Sequence, residues 1–189
     1  MNVYDFDDTI YRGESSLHLF LFYMKKDPKL IRMLPQMLIG LLKYKLRLVS
    51  IDKLLNDYAA PAEEYFKNID NIQDDIKEFW DKNMHRVKPF YFTQQKEDDL
   101  IISASPEFYL KELFDRIGIK NYLGTVVNTQ TGKVEFVCYR ENKVKAFYER
   151  YPEGVIENFY TDSYNDQALM DIAENVFFVK GDKIKQIKP

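Results

Sequence analysis

The chain opens on a short apolar run, Val3–Phe6, that gives way to acidic residues, the pattern of a buried strand ending at a polar site. From Ser15 to about Trp80 the apolar period is helical. Leu17, Leu19 and Phe20 are followed by Leu30, Ile31, Met33 and Leu34, then Leu38, Leu41 and Leu42, then Leu54, Leu55 and Tyr58. Asp27-Pro28, Ser50-Ile-Asp-Lys and Ala60-Pro61 carry helix-start signals, with Pro28 at a first helical position. Ile72, Ile76, Phe79 and Trp80 continue the helical spacing over Asp70–Met84, and Val87–Phe92, aromatic around Pro89, reads as a return crossing.

After that the pattern alternates. Leu100–Ile102 is a short strand ending at Ser103, and Pro106–Ile117 is a helix closed by Gly118. Gly124–Val127 and Lys133–Val137 flank a turn-rich Asn128–Gly132 and predict a hairpin. Arg140–Tyr151 is helical, Val155–Tyr160 a strand, Asn165–Ala173 a helix, and Val176–Val179 and Ile184–Ile187 are the last strands. Strands alternating with helices predict an α/β fold with a mostly parallel sheet and helices on both faces. The helical block after the first strand predicts a second, smaller domain: residues 1–10 and 89–189 form the core, and 11–88 an inserted helical unit.

Composition narrows the function. The chain has 189 residues, 27 Lys and Arg against 30 Asp and Glu, and one cysteine. A nearly balanced charge is not that of a nucleic-acid binder. A lone Cys138 excludes an intramolecular disulfide and a Cys-rich zinc site, and suits a reducing, cytoplasmic setting. The acidic start lacks a signal-peptide pattern, and the longest uncharged apolar stretches are about half of what spans a bilayer.

Two acidic clusters stand out. Asp5-Phe-Asp-Asp-Thr9 lies where the first strand ends, and open α/β sheets bind ligands at the carboxyl ends of their strands. Carboxylates so close are costly without a cation, although a solvated acidic turn has the same letters. An EF-hand calcium loop does not fit, because Ile10 stands at its Gly position and Ser16 at its Glu position. The second cluster, Asp162-Ser-Tyr-Asn-Asp166, follows another strand, where helix capping by Asp162 or Ser163 is the simpler reading. If the two converge, they make an oxygen-rich site suited to Mg²⁺. Ser103, at a strand end before Pro106, can hold an anion, and Lys143 lies near a helix start.

Together these elements resemble the haloacid dehalogenase superfamily, in its phosphoserine phosphatase-like branch, over essentially the whole chain. The motifs are Asp5-x-Asp7-x-Thr9, Ser103, Lys143 and Asp162-x-x-x-Asp166. The resemblance implies a three-layer Rossmann-like core, a helical cap inserted after the first motif, and an Mg²⁺-dependent phosphatase acting on a phosphate monoester. Asp5 would be the nucleophile and Asp7 the general acid and base. Mg²⁺ would be held by Asp5, the Asp7 carbonyl and Asp162, with Thr9 and Asp166 supporting the site. Ser103, Lys143 and the amides of Phe6, Asp7 and Ala104 would bind the phosphoryl group, and Glu14 and Asn165 could meet the substrate. A phosphotransferase would use the same intermediate. Three departures from the family pattern are Asp8 in place of Gly or Ser, Thr161 in place of Gly, and no Gly in Cys138–Asn142.

Glu14 is equally readable as the charged start of a helix, and Ser103-Ala-Ser-Pro looks more like relatives that act on phospholipid head groups than like strict phosphoserine phosphatases. Lys25, Lys26, Lys29, Arg32, Lys43, Lys45 and Arg47 interleave with apolar residues, as in a core-packed helix with a solvated face or a helix resting on an anionic membrane. His18 and His85 have no zinc-ligand spacing and read as structural. Residues 11–88 hold 14 basic and 11 acidic groups, the remainder 13 and 19, so an acidic core would face a basic lid.

Overall fold

Seven strands form one sheet in the computed structural model, in the order β4-β3-β2-β1-β5-β6-β7. The strands are β1 (Asn2–Tyr4), β2 (Leu100–Pro106), β3 (Asn121–Val127), β4 (Val134–Phe136), β5 (Asn158–Thr161), β6 (Asn175–Lys180) and β7 (Lys183–Lys188). The five central strands are parallel, and β4 and β7 close the edges antiparallel. Residues 1–33, 35, 39, 40, 42, 43, 46, 48, 49, 53, 65 and 69–189 are described. The expected helical positions Leu34, Leu38, Leu41, Leu54, Leu55 and Tyr58 lie outside them, as do Ser50, Ala60, Pro61, Lys45 and Arg47.

The described helices are α1 (Ser15–Lys26), α2 (Ile72–Asn83), α3 (Pro89–Gln94), α4 (Glu107–Ile117), α5 (Glu141–Arg150) and α6 (Gln167–Ile172). Successive strand residues point to opposite faces, and the core divides accordingly. Tyr4 and Ile101 pack with Leu19 and Phe22 of α1, Phe79 and Trp80 of α2, and Tyr109 and Phe114 of α4. Val3, Leu100 and Ile102 pack on the other face with Phe147 of α5 and Leu169 and Met170 of α6. Each such buried side chain contributes about 1.5–3 kcal/mol. Tyr4, Tyr160 and Phe177 stack across three neighbouring strands, with centroids 4.5 and 4.7 Å apart. This is the expected α/β architecture of helices on both faces of a mostly parallel sheet.

Several boundaries shift from their sequence expectation, each because pairing needs a partner. β1 ends at Tyr4 rather than Phe6, and β5 begins at Asn158, the residue opposite Asn2, rather than at Val155. β2 runs through to Pro106 instead of ending at Ser103, with a register shift between Ile102 and Pro106. Val87–Phe92 is not one crossing: Val87 bridges to Tyr11, and Pro89 starts α3. Asp27-Pro28 opens a 3-10 turn, Pro28–Met33. Asp166 closes another, Tyr164–Asp166, so the helix expected over Asn165–Ala173 starts only at Gln167, and the Ser163 hydroxyl accepts the Asn165 N–H at 3.2 Å.

Topology places the site. From β1 the chain builds outward through β2 and β3 on one side, then through β5 and β6 on the other, so the strand order reverses at β1 and leaves a crevice beyond its carboxyl end. The chain leaves that crevice at Ile10–Arg12 and returns at Arg86–Lys88. The two crossings are tied by Arg12 N–H to the Arg86 carbonyl at 2.9 Å and Lys88 N–H to the Ile10 carbonyl at 2.7 Å.

Candidate active site

Asp5 is the first residue past β1, and its N–H donates to the Tyr160 carbonyl at 2.9 Å, extending the ladder by one bond. Its carboxylate is therefore held beside the end of β5. Lys143, in the first turn of α5, reaches it from the other side: Nζ lies 2.7 Å from Asp5 Oδ1 and 2.7 Å from Asp166 Oδ1. All three side chains are buried, Lys143 to within 3% of fully. Burial alone would lower the ammonium, but Asp5 and Asp166 outweigh it and hold its pKa above the ordinary lysine range. Burial pushes the Asp5 carboxyl up, Lys143 opposes this, and the like charges of Asp166 and Asp7 add to the rise.

Asp162 is the first residue past β5. Thr9 Oγ1 donates to its Oδ1 at 3.3 Å, and no ion pair reaches it among the described residues. Desolvation, with Asp8 and Asp166 adding, raises its pKa. Lys143 thus pairs with Asp5 and Asp166 but not with Asp162. That surplus of negative charge on hard oxygen donors fits a divalent cation of the Mg²⁺ type. No group of three or more His, Cys, Asp or Glu side chains converges on one point among the described residues.

Asp7 turns away from this group. Its Oδ1 accepts the Ser15 N–H at 2.6 Å, and its Oδ2 accepts the Ser105 hydroxyl at 2.6 Å. Desolvation raises its pKa, and these two serines oppose the rise. Ser103 is buried, and its Oγ accepts the Ser105 N–H at 3.0 Å; Ala104 between them is exposed. Glu14 remains open to solvent at the start of α1 and makes no capping bond, yet desolvation, Asp7, Asp8 and Asp162 push its carboxyl up to about 7. Asn165 is exposed, with its N–H bound to Ser163. Phe6 is fully buried against Tyr11 and Phe114.

The three departures have local reasons. Asp8 has φ +51°, a left-handed conformation in which Asp is among the better tolerated non-glycine residues. Its Oδ1 accepts the Gly13 N–H at 2.8 Å, and the buried Lys88 ammonium donates to its carbonyl. Gly13 itself has φ +90°, and a Cβ there would lie 2.8 Å from the His18 ring, which is bound to the Tyr11 hydroxyl at 2.9 Å. Thr161 is fully buried and joins Asp166 Oδ2 at 3.0 Å while accepting the Ser163 N–H at 3.1 Å, so it steadies the loop between the two acids. Without a glycine before it, α5 is entered through Arg140 at φ +52°. Cys138 is buried, which pushes its thiol up to about 12 and makes it unreactive.

The sequence pointed to none of Ser105, Ser15, Tyr109, Lys88 and Thr161 as site residues. Only the Ser-x-Ser spacing at 103 and 105, which places both side chains on one strand face, carried a signal.

A family model described as haloacid dehalogenase-like hydrolase matches residues 3–171. The chain belongs to that family. No curated protein sequence matches it. Solved structures that share its fold include a protein of unknown function from Bordetella pertussis Tohama I, at 17% identity over 93% of this chain and 87% of that one, with a TM-score of 0.67. A phosphoserine phosphohydrolase-like protein from Francisella tularensis subsp. tularensis SCHU S4 is similar at 20% identity, 93% and 86% coverage and a TM-score of 0.59. A HAD family hydrolase from Salmonella enterica subsp. enterica serovar Typhi is similar at 12% identity, with 90% and 58% coverage and a TM-score of 0.62. At these identities the neighbours speak for the fold. This HAD-like hydrolase carries no helix among its described residues that is long and apolar enough to cross a membrane.

Proposed function

We propose that this HAD-like hydrolase is an Mg²⁺-dependent phosphatase of phosphate monoesters that works through a phosphorylated Asp5, with residues 11–88 forming a cap over the crevice. The observation that carries the reading is the buried Asp5–Lys143–Asp166 chain, with its two 2.7 Å contacts at a strand end. Lys143 keeps Asp5 ionised and faces the incoming phosphoryl group with positive charge. An Asp5 oxygen forms a bond to phosphorus as the ester P–O bond breaks. Asp7 supplies the proton that the departing oxygen takes up. Water then attacks phosphorus, Asp7 accepts its proton, the Asp5–phosphorus bond breaks and phosphate leaves. Ser103 and the amides of Phe6, Asp7 and Ala104 line the phosphoryl oxygens. Mg²⁺, held by Asp5, the Asp7 carbonyl and Asp162, would neutralise charge on these oxygens when bound. Glu14 stands at the mouth, where it can meet a substrate amine.

The metal site has its own test in thermal melting. A carboxyl held above its usual pKa in the fold binds a proton that the unfolded chain has released. Asp5, Asp7 and Asp162 therefore make the metal-free protein less stable as pH rises through and above the ordinary carboxylate range. Mg²⁺ should reverse this, raising Tm at neutral pH on the order of 5 °C at about 100-fold excess over Kd. Asp162→Asn should raise the metal-free Tm and remove the Mg²⁺ response. A Tm indifferent to Mg²⁺ in the wild type, or a response retained by Asp162→Asn, would contradict the assignment.

A lipid-phosphate substrate is a second reading, favoured by the surface of the inserted segment. Leu17, Leu21, Ile31, Leu42, Leu46 and Leu48 are exposed, and Lys25, Lys29, Arg32 and Lys43 are exposed among them. Basic residues add about 1 kcal/mol each near an anionic surface, and the leucines supply apolar area to bury. The protein should co-sediment with phosphatidylglycerol vesicles and not with phosphatidylcholine vesicles, and a Leu17→Gln, Leu21→Gln double variant should weaken binding. No co-sedimentation with either lipid would exclude the membrane, and equal co-sedimentation with both would remove the basic residues from the binding.

A further inference from the structure

Asp7 is the residue whose task depends most on direction: its carboxyl must face the oxygen that leaves and later the water that attacks. In this fold both of its oxygens are already engaged, from two different elements. The Ser15 N–H at the start of α1 donates to Oδ1, and the Ser105 hydroxyl of β2 donates to Oδ2, each at 2.6 Å. Behind Ser105 lies a cluster of hydroxyls. Ser105 Oγ is 2.9 Å from Ser16 Oγ and 3.2 Å from Ser15 Oγ, and both of those lie 2.9 Å from the Tyr109 hydroxyl. Tyr109 is fully buried, and its backbone carbonyl accepts the Trp80 indole N–H at 2.6 Å. The arrangement begins in β2, whose register shift between Ile102 and Pro106 encloses the run from Ser103 to Ser105.

We propose that Ser105 is a positioning residue for Asp7, and that Tyr109 holds Ser105 in place through Ser15 and Ser16. The role rests on the phosphatase reading above and sharpens it. A hydroxyl both donates and accepts, so Ser105 can stay bonded to Asp7 whether or not that carboxyl carries a proton. The amide of Ser15 can only donate, which leaves Ser105 as the partner able to serve both halves of the reaction. Because Ser15 begins the inserted segment and Ser105 belongs to the sheet, the aim of Asp7 also depends on how those two parts sit together.

The test uses two esters with different need of a proton. The leaving group of 4-nitrophenyl phosphate departs without one, whereas that of an alkyl phosphate such as glycerol phosphate requires it. Ser105→Ala should lower kcat/KM, which reports the steps up to departure of the leaving group, about 10- to 100-fold on the alkyl phosphate, within the range that general acid catalysis supplies, and only about 3-fold or less on the nitrophenyl ester. Inhibition by inorganic phosphate should be unchanged, because Ser103 is untouched. Tyr109→Phe should show the same bias at about 3- to 10-fold, and it decides the matter if Ser105→Ala does not fold. Equal losses on the two esters, as a purely structural role would give, would overturn the assignment, as would unchanged rates in both variants. If the wild type releases phosphate from neither of these nor from any other phosphate monoester, the phosphatase reading fails and this role falls with it.

Discussion

Lys143→Met should destabilise the protein by about 3–5 kcal/mol at neutral pH and lower turnover by about 10²- to 10³-fold. The size follows from burial. The ammonium is almost fully enclosed between Asp5 and Asp166 at 2.7 Å each, and methionine fills its volume without its charge. Two carboxylates would then face each other without a counter-ion, and the cost of breaking a buried pair is chiefly the cost of the charge left behind. Acid should return part of the loss, because burial already holds the Asp5 carboxyl above its usual range and a proton on it removes the repulsion. Chemical denaturation at two pH values checks this. A loss near zero at neutral pH, or one that grows on acidification, would mean that Lys143 does not balance the acids.

This buried charge network was legible in the sequence, because its chemistry does not depend on fine geometry. Carboxylates at strand ends, a serine at another strand end and a lysine opening a helix are improbable together for any reason but a common site. The core was legible too, since alternation in the strands and helical spacing around them fix which faces are buried. The hydroxyl contacts were not. Ser105 and Asp7 are 98 residues apart and meet only because β2 shifts register where it passes the site. In the sequence Asp8 is only a departure from the family pattern. Its left-handed backbone and its bond to Gly13 make it a loop clamp, a role that depends on a dihedral no letter reveals. Strand ends moved because each strand can be only as long as its neighbour allows, as β5 shows by starting opposite Asn2.

Asp5→Asn should abolish turnover, by at least about 10⁴-fold, while leaving the fold intact. The amide keeps the shape of the carboxylate, and its backbone bond to Tyr160 is unaffected. Lys143 keeps Asp166 as its partner, so no charge is stranded. The amide has no anionic oxygen to attack phosphorus, and no other described residue at the strand end is placed to replace it. Melting temperature separates this outcome from unfolding. It should hold or rise in the metal-free variant, because one of the crowded acids is gone. An Asp5→Asn protein that turns over within about tenfold of the wild type would remove Asp5 from the role of nucleophile, since loss of a nucleophile costs far more than that.

The most direct measurement is phosphate release from a panel of phosphate monoesters, with and without Mg²⁺, by the wild type and by Asp5→Asn. The wild type should release inorganic phosphate from at least one ester only when Mg²⁺ is present, and Asp5→Asn should release none. Preferential transfer of the phosphoryl group to an added alcohol would identify a phosphotransferase using the same aspartate. No release by the wild type from any ester, or release that ignores both Mg²⁺ and the substitution at Asp5, would contradict the account.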